Sequence, residues 1–214
     1  MSKRLSLVTL LLVVIAILVF GSQFVNTMFT KQIVDLDQAL QRNKSLKDEN
    51  EHLTYIHSLS VEFGFDPRIV MVVDELSRRY VVDDVAYRML NREMMTYLFL
   101  GLIWAESNGR PSAVGDNGKA LGLTQIWLST AHQHNEEITE NDLLTINGNL
   151  EMSFAHSDWL LRKYRGNIAL WLYGWNRGAG KVDELIRYGG QIENGYAEKV
   201  YMAAELINGN LDKR

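Results

Sequence analysis

The segment Leu102-Ile103-Trp104-Ala105-Glu106-Ser107 places one carboxylate directly behind four apolar residues. A charged carboxylate is costly to bury, and burial raises its pKa. A glutamate in such a setting can act as a general acid near neutral pH. The alternative is that Glu106 lies on the wet face of an amphipathic helix. The polar, glycine-rich segment that follows favours the first interpretation, in which a helix delivers one acid to the floor of a groove.

The hydrophobic pattern around this segment predicts a mainly α-helical fold. Apolar residues repeat at helical spacing from about Arg92 through Ser107, and similar patterns cover residues 149–164 and 196–206. Residues 108–122 contain several glycines and a proline, so we expect an irregular segment with a short hairpin there. The helical pattern is expected to resume at about Leu123.

Residues 63–92 are predicted to form a helical packing segment in front of a domain at 93–214. Asp66 followed by Pro67 is a typical helix start, with the aspartate as N-cap. An apolar stripe follows Pro67, which indicates that this helix packs against the domain. A second short helix is predicted for residues 84–91.

The composition excludes several classes of function. The formal net charge of -4 argues against a nucleic-acid-binding protein, because such proteins carry a basic face. The chain has no cysteine, which excludes disulfides, thiolate catalysis and cysteine-ligated zinc. The five histidines form no HExxH motif, and His132 and His134 lie two residues apart in a predicted loop. We therefore predict no metal site and no cofactor.

Residues 1–25 have the pattern of an N-terminal membrane helix. Lys3 and Arg4 precede an almost unbroken aliphatic run from Leu5 to Phe20. Residues through Val25 would complete a span of about 20 residues. A cleaved signal peptide is the competing interpretation, and we favour an uncleaved anchor that contacts the membrane through residues 5–25. In both cases the positive charges stay inside, so the rest of the chain is predicted to be exported.

Residues 26–62 are predicted to form a helical stalk. The stretch from 30 to 62 contains neither proline nor glycine, and it carries a short heptad pattern. Asparagine at core positions of such a pattern fixes the register of parallel dimers. A homodimeric coiled coil and a single solvated helix both remain open. The predicted seam consists of Leu36, Ala39, Asn43, Leu46, Asn50, Leu53 and His57, of which Ala39 and His57 weaken the pattern.

Five short blocks follow one another from Glu106 onward. In this order and at these spacings they resemble the lytic transglycosylases of the soluble-lytic type, relatives of goose-type lysozyme. The resemblance covers about residues 97–204. The blocks are Glu106-Ser107, Gly122-Leu123-Thr124-Gln125-Ile126, Asn149-Leu150, Trp175-Asn176-Arg177-Gly178 and Tyr196 within Gly195-Tyr196-Ala197-Glu198-Lys199-Val200.

The resemblance implies a lysozyme-like helical domain in which Glu106 is the catalytic residue. Three positions depart from the family pattern: Gly115 stands where serine is usual, Thr124 replaces methionine and Trp175 replaces tyrosine. Several of the implied site residues could instead be polar groups that are satisfied in the core. The implied substrate-binding residues are Ser107, Gln125, Trp175, Asn176 and Tyr196.

The resemblance also implies a reaction on peptidoglycan glycan strands. In that scheme Glu106 protonates the oxygen that joins N-acetylmuramic acid to N-acetylglucosamine. It then accepts the proton of the muramyl 6-hydroxyl as this oxygen closes onto C1. The product is a 1,6-anhydro end. The enzyme would work in the cell envelope, on the periplasmic side of the inner membrane that holds its anchor.

Two other functions remain open at this stage. Asp116 lies in the loop after Glu106. If Asp116 held a water molecule across the groove, the chain would be a hydrolysing muramidase. The alternative for Asp116 is a solvated turn residue. A non-catalytic peptidoglycan-binding subunit of an envelope machine would use the groove only for docking.

Overall fold

The computed structural model describes residues 7–80 and 90–211, with the backbone alone for residues 7–30, 32 and 205–211. This part of the chain is mainly α-helical with one small antiparallel sheet, which confirms the mainly α-helical fold and the hairpin that the sequence predicts. The helices are α1 (Leu7–Phe63), α2 (Pro67–Tyr80), α3 (Arg92–Ser107), α4 (Leu128–Ala131), α5 (Glu140–Leu143), α6 (Ile146–Lys163), α7 (Ile168–Arg177), α8 (Ala179–Tyr188) and α9 (Tyr196–Leu211). The strands are β1 (Val114–Gly115), β2 (Ala120–Leu121) and β3 (Ile126–Trp127).

The chain divides into two compact units between Thr54 and Tyr55. In the first unit every described residue belongs to α1, and the side chains of residues 33–54 are mostly exposed, including the leucines of the predicted seam. Where side chains are described, no helix is both long and apolar enough to cross a membrane. Of the predicted anchor, residues 1–6 lie outside the described residues and residues 7–25 are described by their backbone only. The anchor therefore stays a prediction.

The second unit begins inside α1, whose final turns supply Ile56, Leu59 and Phe63 to the core. Helix α2 starts where the sequence predicts, because the Asp66 carboxylate accepts a hydrogen bond from the Arg68 N–H at 2.9 Å. Most of the helix predicted for residues 84–91 lies outside the described residues.

An ion pair joins α2 to the start of α3. The Asp74 carboxylate is only 1% exposed, and it accepts hydrogen bonds from Arg92 Nη2 at 2.6 Å and Arg92 Nε at 2.8 Å. The Arg92 side chain is 39% exposed, and Arg78 Nη2 also lies 3.4 Å from Asp74 Oδ2, so two arginines compensate the buried carboxylate. The contact with Arg92 links α2 to the first residue of α3.

Helix α3 is the central element of the second unit, and it packs on α2 and α9. The Asn91 side chain caps its first turn by accepting from the Met94 N–H at 2.8 Å. Asn108 ends the helix by adopting a left-handed conformation with φ 54°. The predicted bounds are confirmed, and Glu106 lies in the last turn.

Three aromatic rings form the centre of the core behind α3. Phe99 stacks on Phe154 of α6 with ring centroids 3.6 Å apart, and Trp171 of α7 lies 5.7 Å from the Phe99 ring. All three side chains are fully buried. Each contributes on the order of 2–3 kcal/mol by leaving water, so this cluster holds α3, α6 and α7 together.

The three strands of the small sheet follow α3 and precede α4 in the chain, and β2 pairs with both β1 and β3. The expectation that a helix resumes at about Leu123 is wrong, because α4 begins only at Leu128. Gly122 at φ 71° and Gln125 at φ 53° lie in the left-handed region, which interrupts any helix. The residues between these two form the turn that carries Gln125.

The later helices differ from the prediction mainly at their ends. Helix α6 begins at Ile146, one turn before the expected start, because Thr145 caps it by accepting from the Gly148 N–H at 3.1 Å. The chain turns at Gly178, where φ is 81°, and then continues into α8. The apolar pattern of the sequence does not predict α8.

Candidate active site

A cleft of about 600 Å³ opens along the end of α3, the sheet and the helices α6, α7 and α8. It brings together five of the residues that the sequence predicts for the site. Ser107 and Tyr196 lie outside its lining, and both are buried. The predicted site residues that line the cleft are Glu106, Asp116, Gln125, Trp175 and Asn176.

Glu106 is half-buried at one end of this cleft, and its Oε1 atom accepts a short hydrogen bond from the Tyr196 hydroxyl. Burial raises the pKa of Glu106, whereas the Tyr196 hydrogen bond and the charge of Lys199 lower it. The net pKa is above the usual value for a glutamate. The position of Glu106 at the C-terminal end of α3 also favours a raised pKa, because the free carbonyl groups there disfavour negative charge. Glu106 can therefore hold a proton at a pH where most glutamates are ionised.

Helix α9 holds this carboxyl group in position through Tyr196. Tyr196 is the first residue of α9 and is 9% exposed, so its hydroxyl is held in place by packing. Burial and the nearby Glu106 raise the pKa of Tyr196 well above its usual value, which keeps the hydroxyl neutral and able to donate. One turn later, Lys199 Nζ donates to the Ala105 carbonyl oxygen at 2.8 Å. Two hydrogen bonds from α9 thus hold the last turn of α3.

We expect Tyr196→Phe to lower kcat/KM by about ten- to a hundredfold, because a hydrogen bond to a charged group contributes about 1.5–3 kcal/mol. The alkaline limb of the pH–rate profile should move to higher pH, since the hydroxyl lowers the pKa of Glu106. Tyr173→Phe is the matched control, because the buried Tyr173 hydroxyl donates to Glu198 instead, at 3.1 Å. A Tyr196→Phe limb that stays in place or moves to lower pH would contradict this assignment.

Gln125 lines the cleft on a strained turn. Its backbone has φ 53°, and Gln125 Nε2 donates to the carbonyl oxygens of Gly122 at 2.8 Å and Ala113 at 3.2 Å. A Cβ atom on Gly115 would come within 2.4 Å of Gln125 Oε1. The absence of a side chain at position 115 thus makes room for the Gln125 side chain as it is placed here.

Asn149, at the start of α6, ties this turn to the fold. Its side chain is fully buried and makes hydrogen bonds in both directions. Asn149 Oδ1 accepts from the Thr124 N–H at 3.1 Å and from the Thr124 hydroxyl at 2.9 Å. Asn149 Nδ2 donates to the carbonyl oxygens of Leu121 at 2.9 Å and Leu143 at 2.8 Å. A Cβ atom on Gly122 would meet Leu143 O at 2.1 Å, so glycine is required there.

Two of the predicted substrate-binding residues make their hydrogen bonds to other protein groups. Ser107 is 2% exposed, and its hydroxyl donates to the Leu123 carbonyl oxygen at 2.6 Å, which links α3 to the turn that carries Gln125. Asn176 is exposed at the end of α7, where its Oδ1 accepts from Asn194 Nδ2 at 2.7 Å. Direct contact of either residue with substrate stays a prediction.

Asp116 lines the same cleft as Glu106, on the turn between β1 and β2. Its side chain is exposed, and its backbone lies in the left-handed region with φ 46°. Its negative charge raises the pKa of Glu106 slightly, as the smallest of the four influences on that group. Asp116 is therefore near enough to affect the pKa of Glu106, and its side chain is exposed to solvent.

Sequence reasoning missed one wall of the cleft, which His156 and Trp159 of α6 form beside Trp175. Their spacing of three residues puts them on one face of a helix, and this spacing is the feature of the sequence that could have indicated that they line the cleft together. Trp159 looked like a core residue, yet it is 41% exposed. Among the described residues, no three acidic or histidine side chains are grouped as metal ligands would be.

The sequence model of the transglycosylase SLT domain family matches residues 85–195, which is more than half of the 214-residue chain. The chain belongs to the transglycosylase SLT domain family. It is therefore a peptidoglycan lytic transglycosylase, a glycan-cleaving lyase that acts in the cell envelope. No curated protein matches the chain significantly.

The SLT domain match includes Glu106, the Gln125 turn, Asn149 and the Trp175 block. It ends at residue 195, immediately before Tyr196. The hydrogen bond between Tyr196 and Glu106 is thus a contribution of α9 to the SLT site that the matched range does not include.

Proposed function

We propose that this enzyme cleaves the β-1,4 bond between N-acetylmuramic acid and N-acetylglucosamine with Glu106 as its single acid and base, and that it leaves 1,6-anhydro ends. The observation that carries the proposal is the setting of Glu106. Its pKa is raised by burial, it lines a cleft of about 600 Å³, and a neutral tyrosine hydroxyl donates a hydrogen bond to it. These are the properties that a group needs to donate and then accept a proton.

The proposed reaction consumes no water molecule. Protonated Glu106 gives its proton to the bridging oxygen, the bond from C1 to that oxygen breaks, and the N-acetylglucosamine side leaves as an alcohol. The muramyl C1 is left electron-deficient. The muramyl 6-oxygen then bonds to C1 and releases its proton to the Glu106 carboxylate, which restores the acid. Tyr196 can stabilise the carboxylate between these two steps by donating to Oε1.

The surroundings of Asp116 favour a mechanism with one catalytic carboxylate over a mechanism with two. A hydrolysing mechanism needs a second carboxylate held in place to activate water or to attack the sugar. Asp116 is exposed on a turn, and the described residues give its side chain no hydrogen bond that would fix it. Glu106, in contrast, accepts a hydrogen bond from Tyr196 of α9, and Lys199 of α9 donates to the carbonyl oxygen of the neighbouring Ala105.

Product analysis of digested peptidoglycan tests this proposal. We expect fragments whose muramic acid ends are lighter by one water than reducing ends. Asp116→Asn should keep this product and at least about half of the activity, because the exposed Asp116 charge is the smallest of the four influences on the pKa of Glu106. Reducing ends that disappear in Asp116→Asn would instead establish the hydrolase. A pure protein that binds peptidoglycan and never cleaves it would support the docking subunit.

We further propose that residues 1–25 anchor the enzyme in the inner membrane and that the stalk at residues 26–62 pairs with a second copy through its heptad positions from Leu36 to Leu53. The apolar run after Lys3 and Arg4 supports the anchor. The exposure of Leu36, Leu46 and Leu53 supports the pairing, because apolar residues at heptad spacing can be buried by a partner helix. Membrane fractionation and sedimentation equilibrium of the full chain test the two statements separately.

A further inference from the structure

One wall of the cleft carries three neighbouring aromatic rings, which we call the aromatic wall: His156 and Trp159 of α6 and Trp175 of α7. The His156 and Trp159 rings are nearly parallel, with centroids 5.5 Å apart and an interplanar angle of 16°. The Trp175 ring lies 5.5 Å from His156 at 59°. All three line the same cleft as Glu106. Contacts with two tryptophans restrict the imidazole to one orientation.

His156 is a neutral polar group within this wall. Its Nδ1 atom lies 3.1 Å from His134 Nε2, so one of these nitrogens donates to the other. Burial and His134 lower the pKa of His156 to about 4, which leaves the ring uncharged near neutral pH. Within the described residues, the second ring nitrogen has no hydrogen-bond partner. Whichever tautomer is present, that nitrogen needs a partner from solvent or from a ligand.

Trp159 supplies an indole ring beside this nitrogen, with the ammonium group of Lys163, which is paired with Asp183, 5.7 Å from the ring centroid. The Trp159 side chain is 41% exposed although it is one of the largest apolar groups in the chain. An exposed indole next to a neutral hydrogen-bonding group suits a sugar, because a sugar ring has apolar C–H faces and hydroxyls that both donate and accept. A charged ligand group would gain little from a wall whose polar atom is neutral.

We propose that His156 and Trp159 form a subsite for an N-acetylhexosamine unit of the glycan, in addition to the unit at which Glu106 acts. The acetamido methyl group or the apolar sugar face packs on Trp159, and a sugar hydroxyl hydrogen-bonds the second ring nitrogen of His156. Trp175 and His134 hold the imidazole in place. This inference rests on the proposed function for its substrate class.

Binding of chitotetraose, the tetramer of N-acetylglucosamine, to the full chain tests the subsite. Titration calorimetry should give a Kd about tenfold weaker for Trp159→Ala. For His156→Phe, which keeps an aromatic ring and removes its nitrogens, we expect about a fivefold loss, the effect of one neutral hydrogen bond. On peptidoglycan both variants should raise KM and leave kcat within about twofold, since neither residue takes part in the proton transfers.

Trp104→Ala is the matched control, because Trp104 is 43% exposed and lies outside the lining of the cleft. It should bind chitotetraose as the native chain does. Trp159 is on the surface, so its variant is expected to fold even if His156→Phe does not. Unchanged affinity in Trp159→Ala, or no binding of chitotetraose by the native chain, overturns the subsite. Anhydro products from the same native preparation would show that the proposed function stands without it.

Discussion

Glu106→Gln is expected to reduce peptidoglycan cleavage by at least about a thousandfold, because the amide can neither donate the proton to the bridging oxygen nor take one from the 6-hydroxyl. Binding should persist, since the amide oxygen can still accept the hydrogen bond that the Tyr196 hydroxyl donates. Release of soluble fragments, followed by chromatography and mass measurement, gives the rate. Pull-down with insoluble peptidoglycan gives the binding.

Glu136→Gln is the matched control for the loss of one negative charge, because Glu136 is exposed on the surface. It should cleave at the native rate. Substantial cleavage by Glu106→Gln would remove Glu106 from the role of acid and would make another group in the cleft responsible. The pH–rate profile of the native enzyme gives an independent check. Activity should fall as pH rises through the raised pKa of Glu106, at a higher pH than for an ordinary glutamate.

Asn149→Ala should lower the free energy of unfolding by about 3–5 kcal/mol and the Tm by about 10 °C. The substitution leaves the carbonyl oxygens of Leu121 and Leu143 and the N–H of Thr124 without the partner that they now share. Each buried group without a partner costs about 1–3 kcal/mol. The turn that carries Gln125 loses its hydrogen bonds to Asn149 and keeps the one between Thr124 and Ser153, so its hold on α6 weakens and KM for peptidoglycan should also rise. Thermal unfolding and steady-state kinetics measure the two effects.

Asn167→Ala provides the comparison for this variant. The Asn167 side chain accepts a single hydrogen bond, from the Leu170 N–H at 3.0 Å, as the cap of α7. Its removal should cost only about 1 kcal/mol. Equal losses in the two variants would mean that the four hydrogen bonds of Asn149 act no differently from an ordinary cap.

Much of the fold could be predicted because local signals specify it. The bounds of α3 follow from apolar spacing, and the start of α2 follows from Asp66 and Pro67. The resumption of a helix at Leu123 was predicted wrongly, because the pattern of apolar residues does not reveal the left-handed backbone of Gln125. A non-glycine residue in that conformation is held there by the surrounding structure.

The proposed acid, Glu106, could be named from the sequence, but the reason for its burial could not. Trp104 belongs to the apolar stretch before Glu106, yet it is exposed and contributes to the surface. The partner of the carboxyl group is Tyr196, which is separated from Glu106 by 90 positions in the chain. The resemblance to a known family supplied this tyrosine, whereas hydrophobic periodicity could not pair two residues so far apart.

The aromatic wall illustrates a second limit. His156 and Trp159 read as ordinary residues of an amphipathic helix, because periodicity distinguishes a buried face from an exposed face and does not identify a cleft between them. Their neighbours Trp175 and His134 come from other parts of the chain. Only the packing of α6 against α7 brings these rings together.

The entry of α1 into the core affects how a shortened version of this enzyme should be designed for laboratory production. Ile56 and Leu59 are almost completely inaccessible to solvent, although they precede the residues that the SLT domain match includes. A recombinant fragment cut at the start of that match would lose this apolar cover and expose the surface beneath it, which favours aggregation. A fragment that begins at or before Tyr55 keeps the catalytic unit intact.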